Sequence, residues 1–556
     1  MRRSRGLALA IVGALAIGVA GVWIATREPV GEVRPTQAEL LDRVARVLAY
    51  WSTRADPATG LTPNFLPEYR FGKPKGPNAD RPLYAPADSG ADLYPFQVIA
   101  AWLAAPSAED HPLVAVLEAQ RRFAEGPDRL QAEWVDLRDG ARGPSSIFAG
   151  AEYAKDGLLS VTGLLGDSPW SERMTEVIDG IAAHASVPSA FGDLPGTGAE
   201  VHGDLLQVLV PLLWKTGEAR YAELARRIAD AYVREVLPNN HGLPSQEWDF
   251  TRHRGNGVTH LRDHGNEIIS GLVLYAAWLH ERDPAAAREY VAVMRTMVDR
   301  VLASANRDGL LYNHIDSATL RPVKGRKDAG RLTDNWGYVY GAVYNLYLLT
   351  GDEQYRAATR RVLEHLPGSL GHDWSTYPGH DDWADTIESA IYLIAREDVP
   401  EAREWLAAMV PKLVRFQQDD GMVGGSYLDG NFMRTLMLYA LHLSRGVIAR
   451  PWRTGLGVAA HENGDGDGLR VEVTADTPWR GAIAFDTPRH RRIFHMTVPY
   501  VRLNEWPEWW VVEDDARYEV RWDDGRVEVL EGRALARGLP VEAPTGLTVR
   551  AAQGPR

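Results

Sequence analysis

The sequence predicts a mainly α protein: a two-layered toroid of helix hairpins of the (α/α)6 type, six or seven pairs, followed by a C-terminal antiparallel β-sandwich. Three observations carry this. Strongly apolar helical segments alternate with amphipathic ones from about residue 36 to residue 451. Each apolar segment opens on a polar cluster, and the openings recur at intervals of roughly 45–75 residues, an irregular repeat of helix pairs. From about Gly455 the texture changes to short runs with alternation, β-branched residues and turn chemistry.

Residues 1–5 carry three arginines, and 7–25 form 19 residues without a charge. A positive segment before an apolar run is an export signal, and about 19 residues also suffice to span a bilayer. No small-x-small cleavage site stands out before Thr26, which favours an anchor. Residues 1–30 are therefore expected to be a signal peptide or N-terminal membrane anchor, with the rest extracytoplasmic.

Residues 31–454 form the expected toroid. Apolar segments lie at 40–51, 98–103, 205–214, 268–279, 339–349, 387–394 and 436–443. More polar amphipathic segments fall at 115–130, 174–184, 221–236, 285–304, 354–366 and 402–416. A helix that is apolar all round lies inside, and an amphipathic one lies on the surface. Pairs that cannot bury their own apolar faces stack on neighbours; a closed ring does this, and an open superhelix is the alternative. In either case the inner helices start at one end. Their polar openings, near Asp88, Glu152, His202, His264, Asp334, Asp385 and Asn431, then gather in one cavity. Residues 455–556 are the expected β-sandwich.

Composition narrows the function. Hydrophobic content of 45% and charged content of 24% are those of a soluble globular protein. A net charge of −13 argues against nucleic acid as partner. The 18 Trp and 21 Tyr suit stacking on sugar rings, and equally suit a core. There is no cysteine, so disulfides, a thiol nucleophile and thiolate zinc sites are excluded. No phosphate-binding loop, dinucleotide fingerprint or GxSxG elbow occurs, and no cofactor is expected.

The polar openings supply the candidate site. Residues 247–271, EWDFTRHRGNGVTHLRDHGNEIISG, pack three histidines, three arginines, two aspartates and two glutamates before a buried helix. Here Arg262, Asp263, His264 and Glu267 are candidates, with Asp263 also readable as a plain N-cap and Glu267 as a first-turn acid. His260, Asp263 and His264 lack the spacing of a metal motif, and no metal is expected. Asp334, Trp336 and Tyr338 open the next helix, with Asp334 and Tyr338 four apart on one face. Asp385 and Glu388 are spaced as a capping box, which favours a cap for Asp385 and leaves Glu388 a candidate beside small residues. His202 and Asp204 open another helix; Glu152, Lys155 and Asp156 read as a structural ion pair. Arg434 on an apolar face needs a partner, and an ion pair is the favoured one.

With DHGNEIISG and DNWGYVYG in place, the chain over roughly residues 36–450 resembles the (α/α)-toroid carbohydrate-active enzymes, a group spanning glycoside hydrolases and uronate polysaccharide lyases. The resemblance implies an active site in the cavity at the inner-helix starts and a carbohydrate substrate. The expected activity is hydrolysis of a poly- or oligosaccharide, including one that contains uronic acid, by two carboxyl groups. The catalytic pool is Glu267, Asp334, Asp263 and Glu388. Arg262, His264, Trp336, Tyr338, His202 and Asp204 are expected to bind the sugar. The alternatives are a uronate lyase with Tyr338 or His264 as base, and a non-catalytic envelope glycan-binding or scaffold protein.

Overall fold

The computed structural model describes residues 34–552 apart from 65–80, 105–111, 263–264, 324–329, 376–378, 425–429 and 464–467. The expected N-terminal signal or anchor, Asp263 and His264 lie outside the described residues. Among the described residues no helix is long and apolar enough to cross a membrane.

In chain order the main helices are α1 (Gln37–Ser52), α2 (Tyr94–Ala104), α3 (Pro112–Ala124) and α4, which runs through Ile147–Glu152, Tyr153–Leu159 and Ser160–Leu165. Then come α5 (Pro169–Ala183), α6 (Ala199–Thr216), α7 (Ala219–Ala231), α8 (Glu267–Arg282) and α9 (Pro284–Ala303). The set ends with α10 (Trp336–Thr350), α11 (Glu353–His365), α12 (Asp381–Ile394), α13 (Pro400–Val414) and α14 (Gly430–Leu443). The even-numbered helices pack each on the next, and α14 returns to the turn before α2, which closes a ring of seven inner helices among the described residues. The odd-numbered helices form the outer layer.

Sequence texture explains the layering. In α8 every residue from Glu267 to Trp278 is buried, so both faces are covered. In α7 the buried residues Tyr221, Leu224, Ala225 and Ile228 recur at helical spacing, and the opposite face is solvated. Burial of each Leu, Ile or Val in the inner layer stabilises by about 1.5–3 kcal/mol. One expectation is corrected: the apolar segment 40–51 belongs to α1, an outer helix that packs against α14. Its apolar stripe, Leu40, Val44, Val47 and Trp51, covers one face only.

The inner helices approach closely at their starts. A Cβ on Gly203 of α6 would lie 2.4 Å from Ile268 N, and one on Gly337 of α10 would lie 2.4 Å from Ser389 O. Hydroxyls stitch the same seams: Ser270 Oγ donates to Tyr338 O at 3.1 Å, and Ser389 Oγ to Asp334 O at 3.1 Å.

The C-terminal region holds two antiparallel sheets. Strands β1 (Ile448–Arg450), β2 (Leu456–Glu462), β3 (Gly468–Ala475), β4 (Trp479–Ala484), β5 (Arg517–Trp522), β6 (Val527–Glu531), β7 (Leu539–Ala543) and β8 (Thr545–Ala551) supply them. One sheet has the order β2-β3-β8-β5-β6 and the other β7-β4-β1. Alternate residues such as Leu469, Val471 and Val473 on β3 turn inward, and both sheets contribute to one apolar core.

Between β4 and β5 the chain leaves the sheets. Phe494, Met496, Tyr500, Val501, Leu503 and Trp506 belong to the core of the helical ring. Val501 exchanges two hydrogen bonds with the buried Asn345 side chain, at 2.7 and 2.8 Å. Tyr500 stacks on Trp214, and Thr497 donates to Glu281 at 2.6 Å. Trp214, Glu281 and Asn345 sit toward the C-terminal ends of α6, α8 and α10. The segment 488–509 is therefore a plug in the end of the ring opposite the helix starts. The strand-rich region supplies part of the helical core.

Candidate active site

A cavity of about 440 Å³ opens at the starts of the inner helices. The turn before α2 brings Asp88 and Asp92, α8 brings Glu267, α10 Tyr338, α12 Asp381 and Asp385, and α14 Asn431 and Arg434. Successive turns of α4 line it downward through Phe148, Glu152 and Asp156. Asp88 and Asp92 ride on a wide π-type turn, Pro86–Leu93, and Asp156 on another, Tyr153–Leu159. Such turns concentrate at functional sites.

One side of the site is organised by Lys155, which is 2% exposed. Its Nζ lies 2.6 Å from Glu267 Oε1, 2.9 Å from Asp204 Oδ1, 3.2 Å from Glu152 Oε1 and 3.6 Å from Asp156 Oδ2. Burial pulls the lysine pKa down, but Asp156, Glu152 and Glu267 outweigh it and hold the ammonium well above its ordinary value. Burial pushes Glu267 up to about 7, with Lys155 offsetting part of the rise. Both shifts are upward because one ammonium cannot neutralise several buried carboxylates, so the cluster retains protons. Asp156 is raised well above its usual range by burial, against Lys155.

Glu152, Asp204 and Glu267 present oxygens within 4.8 Å of one another, the spacing of a cation site. The Lys155 ammonium, 3.2 Å or less from all three, fills that position.

The other side is organised by Arg434. Its Nε donates to Glu388 Oε2 at 2.8 Å and its Nη2 to Asn431 Oδ1 at 2.8 Å and Tyr338 Oη at 3.4 Å. Asp385 Oδ1 lies 3.9 Å away. Burial, then Asp385 and Glu388, raise the Tyr338 phenol well above its ordinary pKa. Burial and Asp88 likewise raise Asp92.

Of the residues expected from sequence to be catalytic or sugar-binding, Glu267 and Tyr338 line this cavity. Asp204 is fully buried behind it as a partner of Lys155. Apart from Asp263 and His264, which lie outside the described residues, the others fall elsewhere. Glu388 is fully buried, with one oxygen on Arg434 and the other accepting from Tyr392. Both oxygens are engaged, so it is a fixed counter-ion of Arg434. Asp334 is 2% exposed and accepts from Asn335 N at 3.0 Å at the helix start. Arg262 pairs with Asp382 at 2.8 Å and approaches Asp334 at 3.8 Å, so its fork is turned to the protein's own acids. Trp336 is fully buried with its indole N–H donated to Thr386 Oγ1 at 3.0 Å, which leaves no face for a sugar. His202 is buried against Tyr232 and Phe250, away from the cavity, and burial lowers it to about 4.

The cavity also holds groups that the sequence marked weakly or not at all. Asp385, read as a cap, is on the wall, as is Asp156, read as a structural ion pair. Asp92 carried one usable sign, its i, i+4 spacing from Asp88. Asn504 comes from the plug and had none.

No protein-family model matches this chain, and no curated relative matches it. Among solved structures it is similar to an inactive variant of an α-1,6-mannanase of Salegentibacter sp. HEL1_6 in complex with α-1,6-mannotriose, at 13% identity and a TM-score of 0.42, over 58% of this chain and 96% of that one. An unsaturated glucuronyl hydrolase from Bacillus sp. GL1 is similar at 16% identity and a TM-score of 0.39, over 54% and 87%. A sugar epimerase from a ruminal bacterium is similar at 12% identity and a TM-score of 0.43, over 73% and 98%. At this similarity none of the three assigns a role to any residue of this chain.

Proposed function

We propose that the protein is an exported carbohydrate-active enzyme, a glycoside hydrolase that cleaves a poly- or oligosaccharide with two carboxyl groups. The observation that carries the reading is Glu267, a cavity-wall carboxyl that keeps its proton up to about pH 7. Glycoside hydrolysis needs one protonated acid at the leaving oxygen and one ionised carboxylate at the anomeric side. Glu267 fits the first role. Asp385 fits the second by position: it lies on the same cavity wall, with Arg434 at 3.9 Å and the Asn335 amide donating to its Oδ2 at 2.9 Å. The two stand on α8 and α12, separated in the ring by α10. Tyr338 of α10, its proton held, would donate to a sugar hydroxyl or ring oxygen between them.

The same phenol weighs against Tyr338 as the base of the uronate-lyase alternative; its other base, His264, lies outside the described residues. A lyase base must accept the proton beside the uronate carboxyl, and a phenol raised this far stays protonated at neutral pH. We read the two C-terminal sheets, with their shared core, as a β-sandwich of residues 455–556 packed on a toroid of residues 31–454. Residues 1–30 we take as the signal or anchor that delivers both outside the cytoplasm.

The test is a panel of oligosaccharides assayed for new reducing ends and for ultraviolet absorbance with the wild-type chain, Glu267→Gln and Asp385→Asn. The expected result is reducing ends without absorbance, lost by at least about a hundredfold in each variant, the scale set by acid–base catalysis. Absorbance would establish the lyase. Binding without turnover, equal in all three proteins, would establish a glycan-binding protein.

A further inference from the structure

The plug does more than fill the ring. Phe148, Glu152 and Asp156 descend the cavity on successive turns of α4, and the next turns hold the plug: Ser160 O accepts from Trp506 Nε1 at 3.1 Å, and Gly163 O from Arg489 Nη1 at 3.0 Å. Where the two meet, Asn504 lines the cavity from below. Its backbone has φ of 54°, in the left-handed region, which asparagine enters more readily than most residues and only glycine enters freely. Its side chain is 7% exposed. Its Nδ2 donates to Asp156 Oδ1, and its Oδ1, also buried, has no hydrogen-bond partner among the described residues.

Anchoring the plug does not account for this residue. Asn345, Ser160 and Gly163 already hold the segment by five hydrogen bonds. A strained backbone and an orphan buried acceptor both cost stability. What they secure is one contact, to an acid on the cavity wall beside Lys155.

We propose that Asn504 is a positioning residue of the active site, delivered by the strand-rich part of the chain, which aims the Asp156 carboxyl into the cavity in both of its protonation states. When Asp156 is ionised, Nδ2 donates to it. When Asp156 is protonated, its O–H donates to Oδ1 after the amide turns over, which exchanges the unpaired acceptor for an unpaired N–H. Asp156 thus gains and loses a proton without losing its partner, and serves as the proton reservoir beside Glu267. This rests on the hydrolase reading for its catalytic meaning, but the Asp156–Asn504 pair has a readout of its own.

That readout is the protonation of Asp156, followed by the infrared band of its protonated carboxyl. The band is assigned by its loss in Asp156→Asn, using the full chain. Asn504→Gly keeps the left-handed backbone without strain and removes only the amide, so it separates positioning from folding. The hydrogen bond that Nδ2 gives the ionised carboxylate is charge-assisted and the stronger of the two. The expected result is therefore a midpoint of Asp156 titration moved upward by at least about one pH unit in Asn504→Gly, and upward also in Asn504→Asp, where a second carboxyl repels the charged form. The thermal midpoint of Asn504→Gly should stay within a few degrees of wild type. Under the hydrolase reading, kcat falls at least tenfold in Asn504→Gly with a displaced pH profile, and KM changes less. An unmoved Asp156 titration in folded Asn504→Gly overturns the proposal, whatever the activity. A moved titration in a chain that turns over no oligosaccharide keeps the pair and overturns the hydrolase reading alone.

Discussion

Lys155 Nζ lies 2.6 Å from Glu267 Oε1 and shares its single charge with Asp204, Glu152 and Asp156. The arrangement fixes the sign of a pH effect. The carboxyl of Glu267 is raised from its ordinary value of 4.5 to about 7, with burial as the main cause. The folded state therefore holds this proton more tightly than the unfolded chain. The stability it contributes is full below pH 4.5 and is lost as pH rises through about 7. As the proposed acid, Glu267 also sets the alkaline limb of kcat/KM near pH 7. The measurements are a pH–rate profile and denaturation midpoints across this window. Glu267→Gln should abolish the first and flatten the second, and an alkaline limb above pH 9 would rule Glu267 out as the acid.

Removal of the shared cation should be costly. Lys155→Met leaves Glu267, Asp204 and Asp156 around an apolar chain. Breaking a buried ion pair from one side costs about 3–5 kcal/mol. Urea denaturation should show a loss of that order at pH 7, shrinking as the pH is lowered and the carboxyls protonate. A loss that does not depend on pH would mean that Lys155 acts through packing, not charge.

The close approach of α6 and α8 ties stability to the site. Gly203→Ala puts a Cβ 2.4 Å from Ile268 N and 2.6 Å from Glu267 C, both backbone atoms. The start of α8 must move, at a cost of about 1–3 kcal/mol, and Glu267 moves with it. Activity should drop more than the folded fraction does. Ala at Gly217, where nothing lies within 4 Å, meets no such contact; it carries the strain of a left-handed position and should leave the specific activity of the folded protein unchanged.

Buried histidines predict acid lability. Burial lowers His202 and His380 from 6.5 to about 4 and His442 to about 3. The unfolded chain then binds more protons than the folded one, so stability is lost as pH falls below 6.5 and stops falling near the folded values. Each fully buried histidine contributes on the order of 3 kcal/mol to that loss. His202→Phe, facing the rings of Tyr232 and Phe250, should reduce the acid slope between pH 6 and pH 4.

The plug makes a further prediction about chain division. Residues 31–454 expressed alone lack Phe494, Tyr500, Val501 and Trp506 from the core of the ring. They also leave Asn345, fully buried, without either of its hydrogen bonds. The truncated chain should give no cooperative thermal transition while the full chain does. In the full chain, Asn345→Ala orphans the Val501 N–H and C=O at about 1–3 kcal/mol each, which a denaturant titration would read.

The sequence alone determined the layering. Apolar and amphipathic segments alternate because an inner helix is covered on all sides and an outer one on a single stripe, and that difference is written in each segment separately. It also determined that polar clusters start the inner helices, and so that Glu267 and Tyr338 meet at one end. The tertiary structure decided the rest. In a helix that is apolar all round, no local pattern sets the rotation about the axis. Only packing against the neighbours turned Asp385 into the cavity and Glu388, three residues on, onto Arg434 in the seam. Packing likewise sent Trp336 and His202 into the core and turned Arg262 to Asp382. Asn504 lies 348 residues from Asp156, and no periodicity spans such a gap, because contact at that distance is fixed by closure of the ring and not by the propensities of either segment.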